Sequence, residues 1–289
     1  MGDFFCAEEI GHIRGWFNCL VMSSPYLGAM DAINTEKLAI SGCEMVLATD
    51  LDGTFLGGSE ENRQRLYRWV QENRGRVALV FVTGRDPGFI SDLCAGGQVP
   101  SPDYVIGDVG TTIARFVDNT VQPLAALEAP IVRAWHGKAE LVRTRLAAIR
   151  GLWLQAAPFR HRLSYQYDER FNPNSLSVLE GLGVDILVSH GCFVDILPLG
   201  ISKGPSLLRL IGDLKLPAER VLVAGDTMND LSMFQTGLHG AVVGGAEAEL
   251  LDATRDLPRA YHCRLDGAGG ILEAIRKHGL FPSTPEVTE

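Results

Sequence analysis

The sequence predicts an α/β fold, with a Rossmann-like parallel sheet core and an inserted α+β domain. Three observations carry this prediction. Short apolar runs alternate with helical stretches on both sides of the chain's middle, as they do when parallel strands are buried on both faces. The middle breaks that rhythm and mixes strands with a long polar helix. Four polar clusters each follow an apolar run or open a helix, where open α/β sheets collect their ligands.

Residues 1–43 mix Gly, Ser, Pro and aromatic residues without a period and are expected to form an extension of unclear role that adds little to the core. The first convincing strand is 45–49, followed by a loop at Gly57-Gly58-Ser59. A helix near 60–74 follows, with Leu66, Trp69 and Val70 as its apolar side. Arg76 to Val82 is a near-continuous apolar strand, closed by Thr83-Gly84-Arg85, and a helix near 87–95 follows. A short strand over 102–107 leads into a turn and hairpin over 108–116. The insertion then reads as a helix near 129–150, a strand over 160–167, a helix over 172–182, and strands over 184–188 and 192–197. The parallel pattern resumes with a helix over 203–213, a strand over 220–224, a helix near 229–236 and a strand over 240–243. Helices over 246–254 and 269–278 complete the core, and 282–289 reads as a frayed tail. The expected division is therefore 44–117 with 194–289 as the core, and 118–193 as the insertion.

The chain has 289 residues, 46% hydrophobic and 21% charged, enough for one large domain or a domain with a substantial insertion. A net charge of -9 argues against a nucleic-acid partner and against an anionic membrane surface. An anionic substrate stays open, because a metal and a lysine can make one site locally positive. The six cysteines (Cys6, Cys19, Cys43, Cys94, Cys192 and Cys263) form no CxxC pair, so neither a zinc site nor a disulfide framework is expected. No apolar stretch approaches the roughly 20 residues of a membrane-spanning helix. Phe17 to Met22 lacks a basic flank, so no signal peptide is expected and the expected location is cytoplasmic.

The most informative segment is Asp50-Leu51-Asp52-Gly53-Thr54, at the end of the 45–49 strand. On a strand, residues i and i+2 share a face, so Asp50 and Asp52 are expected on one side. Two crowded carboxylates call for a cation or a shared proton. They suit a Mg²⁺ site, a carboxylate nucleophile with an acid/base partner, or both. The other clusters are Thr83-Gly84-Arg85, Ser202-Lys203-Gly204, and Gly225-Asp226-Thr227-Met228-Asn229-Asp230. Together they supply acids, a hydroxyl, a lysine and helix N-terminal amides, the groups that phosphoryl transfer requires. Taken singly, each has a plainer reading: an Asp-Gly turn, a helix-start lysine, an N-cap aspartate.

In this order and spacing, the clusters resemble the haloacid dehalogenase superfamily of phosphohydrolases across about 44–280. Asp50 to Thr54 matches its first motif, Thr83 the second, Lys203 the third and Gly225 to Asp230 the fourth. The insertion falls between the second and third motifs, as in members with a large α+β cap. A narrower resemblance is to sucrose-phosphate phosphatases and their relatives. It rests on Pro102 to Ile106, Val109 to Ile113, Leu163-Ser164-Tyr165, Val194 to Pro198 leading into Lys203-Gly204, and Gly267 to Ile275. Those relatives usually carry an acidic residue where Thr112 stands, a departure that bears on sucrose phosphate itself and not on the phosphatase chemistry.

The resemblance implies roles. Asp50 is the nucleophile that forms an aspartyl-phosphate, and Asp52 is the acid/base. Mg²⁺ is held by the Asp50 carboxylate, the Asp52 backbone carbonyl and Asp226. Thr83, Gly84, Lys203 and Asn229 bind the phosphate, with Asn229 and Asp230 also orienting Lys203 and the metal's waters. In the cap, Arg160 and His161 are the candidates for substrate contact. His136, His190 and the helical arginines read as surface or packing residues. The implied substrate is a phosphorylated sugar or glycoside, such as sucrose 6-phosphate, glucosylglycerol phosphate, a glycosyl-phosphoglycerate or a hexose phosphate. A functional pairing with the glycosyltransferase that makes it is also implied. The alternatives are a sugar phosphomutase that reuses Asp50, and a catalytically inactive sugar-phosphate-binding domain.

Overall fold

The structure, a computed structural model, describes residues 40, 42–189 and 191–287. The expected extension over 1–43 therefore lies almost wholly outside the described residues, as do Cys6, Cys19 and His190.

In chain order, the core begins with β1 (Met45–Thr49), α1 (Glu60–Glu72), β2 (Val77–Val82), α2 (Pro87–Ala95), β3 (Tyr104–Gly107), β4 (Thr112–Val117) and β5 (Thr120–Pro123). The insertion carries α3 (Ala125–Trp135), α4 (Lys138–Leu146), β6 (Leu152–Leu154), β7 (Leu163–Tyr167), β8 (Val184–Ser189) and β9 (Phe193–Pro198). The chain returns through α5 (Lys203–Leu214), β10 (Val221–Gly225), α6 (Leu231–Phe234), β11 (His239–Gly244), α7 (Ala248–Thr254), β12 (Ala260–Asp266) and α8 (Gly267–His278).

Eight strands form one sheet in the order β12-β11-β10-β1-β2-β3-β4-β5. Pairing is parallel from β12 to β3, and β4 and β5 add antiparallel at one edge. Both faces are covered. Leu47, Leu79 and Phe81 point into one apolar layer with Phe55, Leu66 and Ile271. Val46, Val80 and Val223 point into the other with Leu207, Ile211 and Met233. Each such side chain contributes about 1.5–3 kcal/mol on burial, which fixes the register and hence the strand ends. β1 lies between β10 and β2, with Thr49 opposite both Ala224 and Phe81. The residues that follow these three strands are thereby brought side by side.

The second sheet is antiparallel, ordered β6-β7-β9-β8. One face packs Leu163, Tyr165, Val194 and Ile196 against Trp135, Val142, Leu146 and Leu176. The other face, with Ser164 and Asp195 in register, turns to the core. Sheet membership moves both expected seams: 120–123 extends the core sheet, and 193–198 belongs to the cap sheet.

Four details differ from the sequence expectation. The helix expected over 129–150 is two helices, broken where Gly137 takes a φ of 72°. Residues 173–179 form a 3₁₀ run, not an α-helix. β6 is only three residues long, and β12 is a half-exposed edge strand without a continuous apolar run, so neither was legible. The tail is anchored through residue 286. Trp69 Nε1 donates to the Ser283 carbonyl at 2.9 Å, Arg276 to Pro285 at 2.6 Å and Arg65 to Glu286 at 2.6 Å.

Candidate active site

Asp50 follows β1 directly and is buried, with its backbone N–H donating to the Ala224 carbonyl at 2.9 Å. The next segment, Leu51–Phe55, is a tight helical turn with a kink at Asp52 and Gly53. The strand alternation expected to align Asp50 with Asp52 therefore does not operate. The turn itself brings both to the same cleft.

Lys203 opens α5 and is completely buried. Its ammonium donates to Asp50 Oδ1 at 2.8 Å, Asn229 Oδ1 at 2.6 Å and Asp230 Oδ1 at 2.5 Å, which uses all three protons. Burial pushes the Asp50 carboxyl up to about 8. Lys203 opposes that rise, and Asp230 and Asp226 add to it. Burial works against the Lys203 charge too, but Asp230 and Asp50 outweigh it and its pKa rises. Lys203 is thus a permanent cation whose position is set by three acceptors. Asp230 is fixed in turn, since its Oδ2 accepts from the backbone N–H groups of Asp226 and Thr227, each at 3.0 Å.

Asp50, Asp226 and Asp230 each place a carboxylate oxygen within 4.8 Å of the others. This is an all-oxygen set of the kind hard divalent cations take. The donor chemistry fits Mg²⁺, and so does the backbone. Gly53 has a φ of 76°, and a Cβ there would lie 2.1 Å from Asp226 Oδ2, so the Gly53 backbone packs directly against that carboxylate. Thr54 holds the other Asp226 oxygen, its hydroxyl donating at 2.6 Å. The Asp52 carboxylate does not join the cluster. Arg85 holds it at 2.8 Å through both Nε and Nη2, so any contribution of Asp52 to a cation falls to its backbone carbonyl. Asp230 is committed to Lys203 and the backbone amides, which makes it a support for the lysine.

Thr83 follows β2 directly and is buried. Its Oγ1 accepts from the Arg85 N–H at 3.1 Å, and the side chain lies just below the cleft lining. Gly84 lines the cleft beside it.

The cleft between the two sheets has a volume of about 390 Å³. Asp50, Asp52, Gly84, Arg85 and Asn229 line it from the core, and Gln155, Arg162, Ser164, Ser189, Phe193 and Asp195 from the cap. Neither expected cap residue lies in that lining. Arg160 instead donates to Glu128 Oε2 at 2.8 Å and to Thr112 Oγ1 at 3.1 Å, at the seam beside β4. His161 has its pKa lowered by burial and by Arg160, and lies outside the lining as well. Sequence reasoning missed Arg162, Gln155, Ser189, Phe193 and Asp195. The signal was present in part: within the alternating strand, Arg162 shares a face with Ser164.

This combination of a parallel core, an inserted antiparallel cap, and acid, hydroxyl and lysine gathered at one edge of the sheet is that of a haloacid-dehalogenase-like hydrolase fold, and the chain is 30% identical over 275 residues to a protein of Nitrosococcus oceani described as being of that kind, covering 83% of this chain and 73% of that protein. A family model described as sucrose-6F-phosphate phosphohydrolase matches residues 43–279, and the chain belongs to that family. It is 39% identical over 241 residues to a glucosylglycerol-phosphate synthase of Pseudomonas anguilliseptica, a match covering 82% of this chain and 31% of the synthase. It is 31% identical over 249 residues to a mannosylfructose-phosphate phosphatase of Agrobacterium fabrum, covering 82% of this chain and 98% of that protein. The sucrose-phosphatase of Synechocystis sp., solved in complex with sucrose and phosphate, superposes with a TM-score of 0.75 at 26% identity, over 83% of this chain and all of that one. The chain thus spans about a third of the synthase's length. Among the described residues, no helix is long and apolar enough to cross a membrane.

Proposed function

We propose that this chain is a Mg²⁺-dependent phosphatase of a phosphorylated sugar or glycoside, acting through an aspartyl-phosphate on Asp50. The observation that carries the reading is the convergence of Asp50, Lys203 and Asp226 beneath a cleft shared with the cap. Asp50 attacks phosphorus as the ester P–O bond breaks, and Asp52 gives its proton to the leaving sugar oxygen. Water then attacks the phosphorus, Asp52 takes its proton, and the bond to Asp50 breaks to release inorganic phosphate. Thr83 and the Gly84 loop hold the phosphoryl oxygens, Lys203 positions Asp50 and sets its positive charge beside them, and Arg85 holds Asp52 at the cleft mouth. Mg²⁺, held by Asp50, Asp226 and the Asp52 carbonyl, would offset the charge between nucleophile and substrate.

The leaving group faces Gln155, Ser164, Ser189, Phe193 and Asp195, a lining suited to hydroxyl groups. Glucosylglycerol phosphate and mannosylfructose phosphate, named by the two relatives, join sucrose 6-phosphate as leading candidates. The likeness to part of a longer synthase also supports pairing with a glycosyltransferase that supplies the phosphorylated product. The complete set of reacting groups weighs against an inactive binding domain. Phosphate release with Mg²⁺ from a panel of these esters, with Asp50→Asn as the blank, tests the reading. One strongly preferred ester supports it. Transfer of phosphate back to the sugar without release points to a mutase.

A further inference from the structure

We propose that Arg162 is a positioning residue, a strut that ties the seated cap to both loops that hold the phosphoryl group. The inference rests on the phosphatase reading and goes beyond it. Arg162 immediately precedes β7 and is 7% exposed. On the cap side, its Nη1 donates to Asp195 Oδ1 at 2.9 Å and to the Ser164 hydroxyl. On the core side, Nη2 donates to the Gly84 carbonyl at 2.9 Å, and Nε and Nη2 both approach Asp108 Oδ1 at 3.4 Å. Each guanidinium nitrogen thus has a protein acceptor, although the side chain borders the cleft. Arg162 lies where a substrate-binding arginine would, yet its hydrogen bonds are spent on the protein.

What it grips on the core side is unusual. Asp108 and Val109 have φ angles of 52° and 57°, and Gly110 follows at 98°. Non-glycine residues rarely take such angles, and a β-branched valine almost never does, so surrounding contacts must hold the turn. The turn is hydrogen-bonded to the phosphate-side loop on one flank: Asp108 N–H donates to the Arg85 carbonyl at 3.0 Å and Val109 N–H to the Thr83 carbonyl at 3.1 Å. On its other flank it abuts the start of α5. A Cβ on Gly110 would lie 2.3 Å from Ser202 C and 2.7 Å from Lys203 N, and Ser206 Oγ donates to the Gly110 carbonyl at 2.6 Å. The strained turn is therefore wedged between Thr83-Gly84 and Lys203. Asp108 is its handle, with one carboxylate oxygen taken by Thr112 at 2.7 Å and the other facing Arg162. Among the described residues, it is a residue carried by the cap that completes this arrangement. When the cap is seated, Arg162 fixes both phosphate-holding loops in one geometry.

The test compares the wild type with Arg162→Met, Arg162→Lys and Asp108→Asn. Phosphate release is measured from a sugar phosphate and from p-nitrophenyl phosphate, which has no sugar for the cap to read. Amide hydrogen exchange is followed over 83–85 and 108–112. Arg162→Met is expected to lower kcat on the order of 100-fold on both esters, the cost of a misplaced phosphoryl site, with KM little changed. Arg162→Lys should restore only part of kcat, because a single ammonium cannot span Gly84, Asp108 and Asp195. Exchange over 83–85 and 108–112 should quicken, while that of β10 stays slow. A loss confined to the sugar ester, or carried by KM, would make Arg162 a substrate contact and overturn the proposal. Unchanged kcat on both esters would overturn it equally. If the wild type cleaves neither ester, the phosphatase reading fails, and the strut is then judged by exchange alone, with unchanged protection counting against it. Should Arg162→Met not fold, Arg162→Lys and Asp108→Asn carry the same two readouts.

Discussion

Replacing Lys203 by methionine keeps most of the side chain's length and removes its charge. In the native site, that ammonium is fully buried between the carboxylates of Asp50 and Asp230 and donates to both. Without it, Asp50 and Asp230 face each other with no counter-charge, and Asp50, already pushed up by burial, must keep a proton while Asp230 is left as a buried charge. Breaking a buried ion pair from one side costs about 3–5 kcal/mol. At about 2–4 °C per kcal/mol for a chain of this size, the melting temperature in chelator should fall by about 6–20 °C. Magnesium should return part of that loss, since a divalent cation beside Asp50 takes over some of the charge balance. Turnover should fall by at least about 10²–10³, the loss seen when one preorganised oxyanion-hole donor is removed. Thermal melts of wild type and Lys203→Met, each in chelator and in Mg²⁺, read the first two effects. A variant melting within about 2 °C of wild type in chelator would refute the reasoning, because the lysine would then not be balancing buried charge.

Further outcomes follow from the same geometry. The Asp50 carboxyl titrates near 8 when folded, above its unfolded value of about 3.9, so its contribution to stability is present at low pH and lost as pH rises between those values. In chelator, the stability of wild type relative to Asp50→Asn should therefore fall from pH 5 to pH 9. A difference independent of pH would contradict the assignment. Gly53→Ala forces a Cβ against Asp226 at a φ of 76°. It should cost more than about 1 kcal/mol and move the Mg²⁺ dependence of turnover to higher concentration, read by a metal titration. Trp69→Phe removes the hydrogen bond to Ser283. It should cost about 1 kcal/mol and speed proteolysis within 282–287, measured by mass spectrometry of the clipped tail.

The core was legible because its chemistry is local. The apolar runs at 45–49, 77–82 and 221–225 read as strands buried on both faces, and in a parallel sheet the polar residues that follow them meet at one sheet edge. Asp50 and Asp226 follow two of those runs, Lys203 opens the helix after 193–198, and the structure brings the three side chains together. The pairing of the Asp52 carboxylate with Arg85 was not legible, since it depends on a turn whose kink lies at Gly53. The cap resisted for a different reason. Arg160 and Arg162 are two residues apart in one strand pattern, and period alone cannot say which reaches the cleft and which is held by Glu128. That outcome is decided by the partner strand, which sets Asp195 opposite Ser164, and by a buried glutamate 32 residues away from Arg160. The helix expected over 129–150 failed at Gly137, where one left-handed residue outweighed favourable propensity on both sides.

The central claim is that Asp50 carries the phosphoryl group. It is tested most directly by mixing Asp52→Asn with p-nitrophenyl phosphate and Mg²⁺, quenching in acid and mapping the peptides. The leaving group of this ester needs no proton, whereas hydrolysis of the intermediate needs the Asp52 carboxylate, so phosphoenzyme should accumulate. The account predicts one phosphoryl group on the peptide containing Asp50, absent from Asp50→Asn. An unmodified Asp50 in a variant that still releases nitrophenol would contradict it.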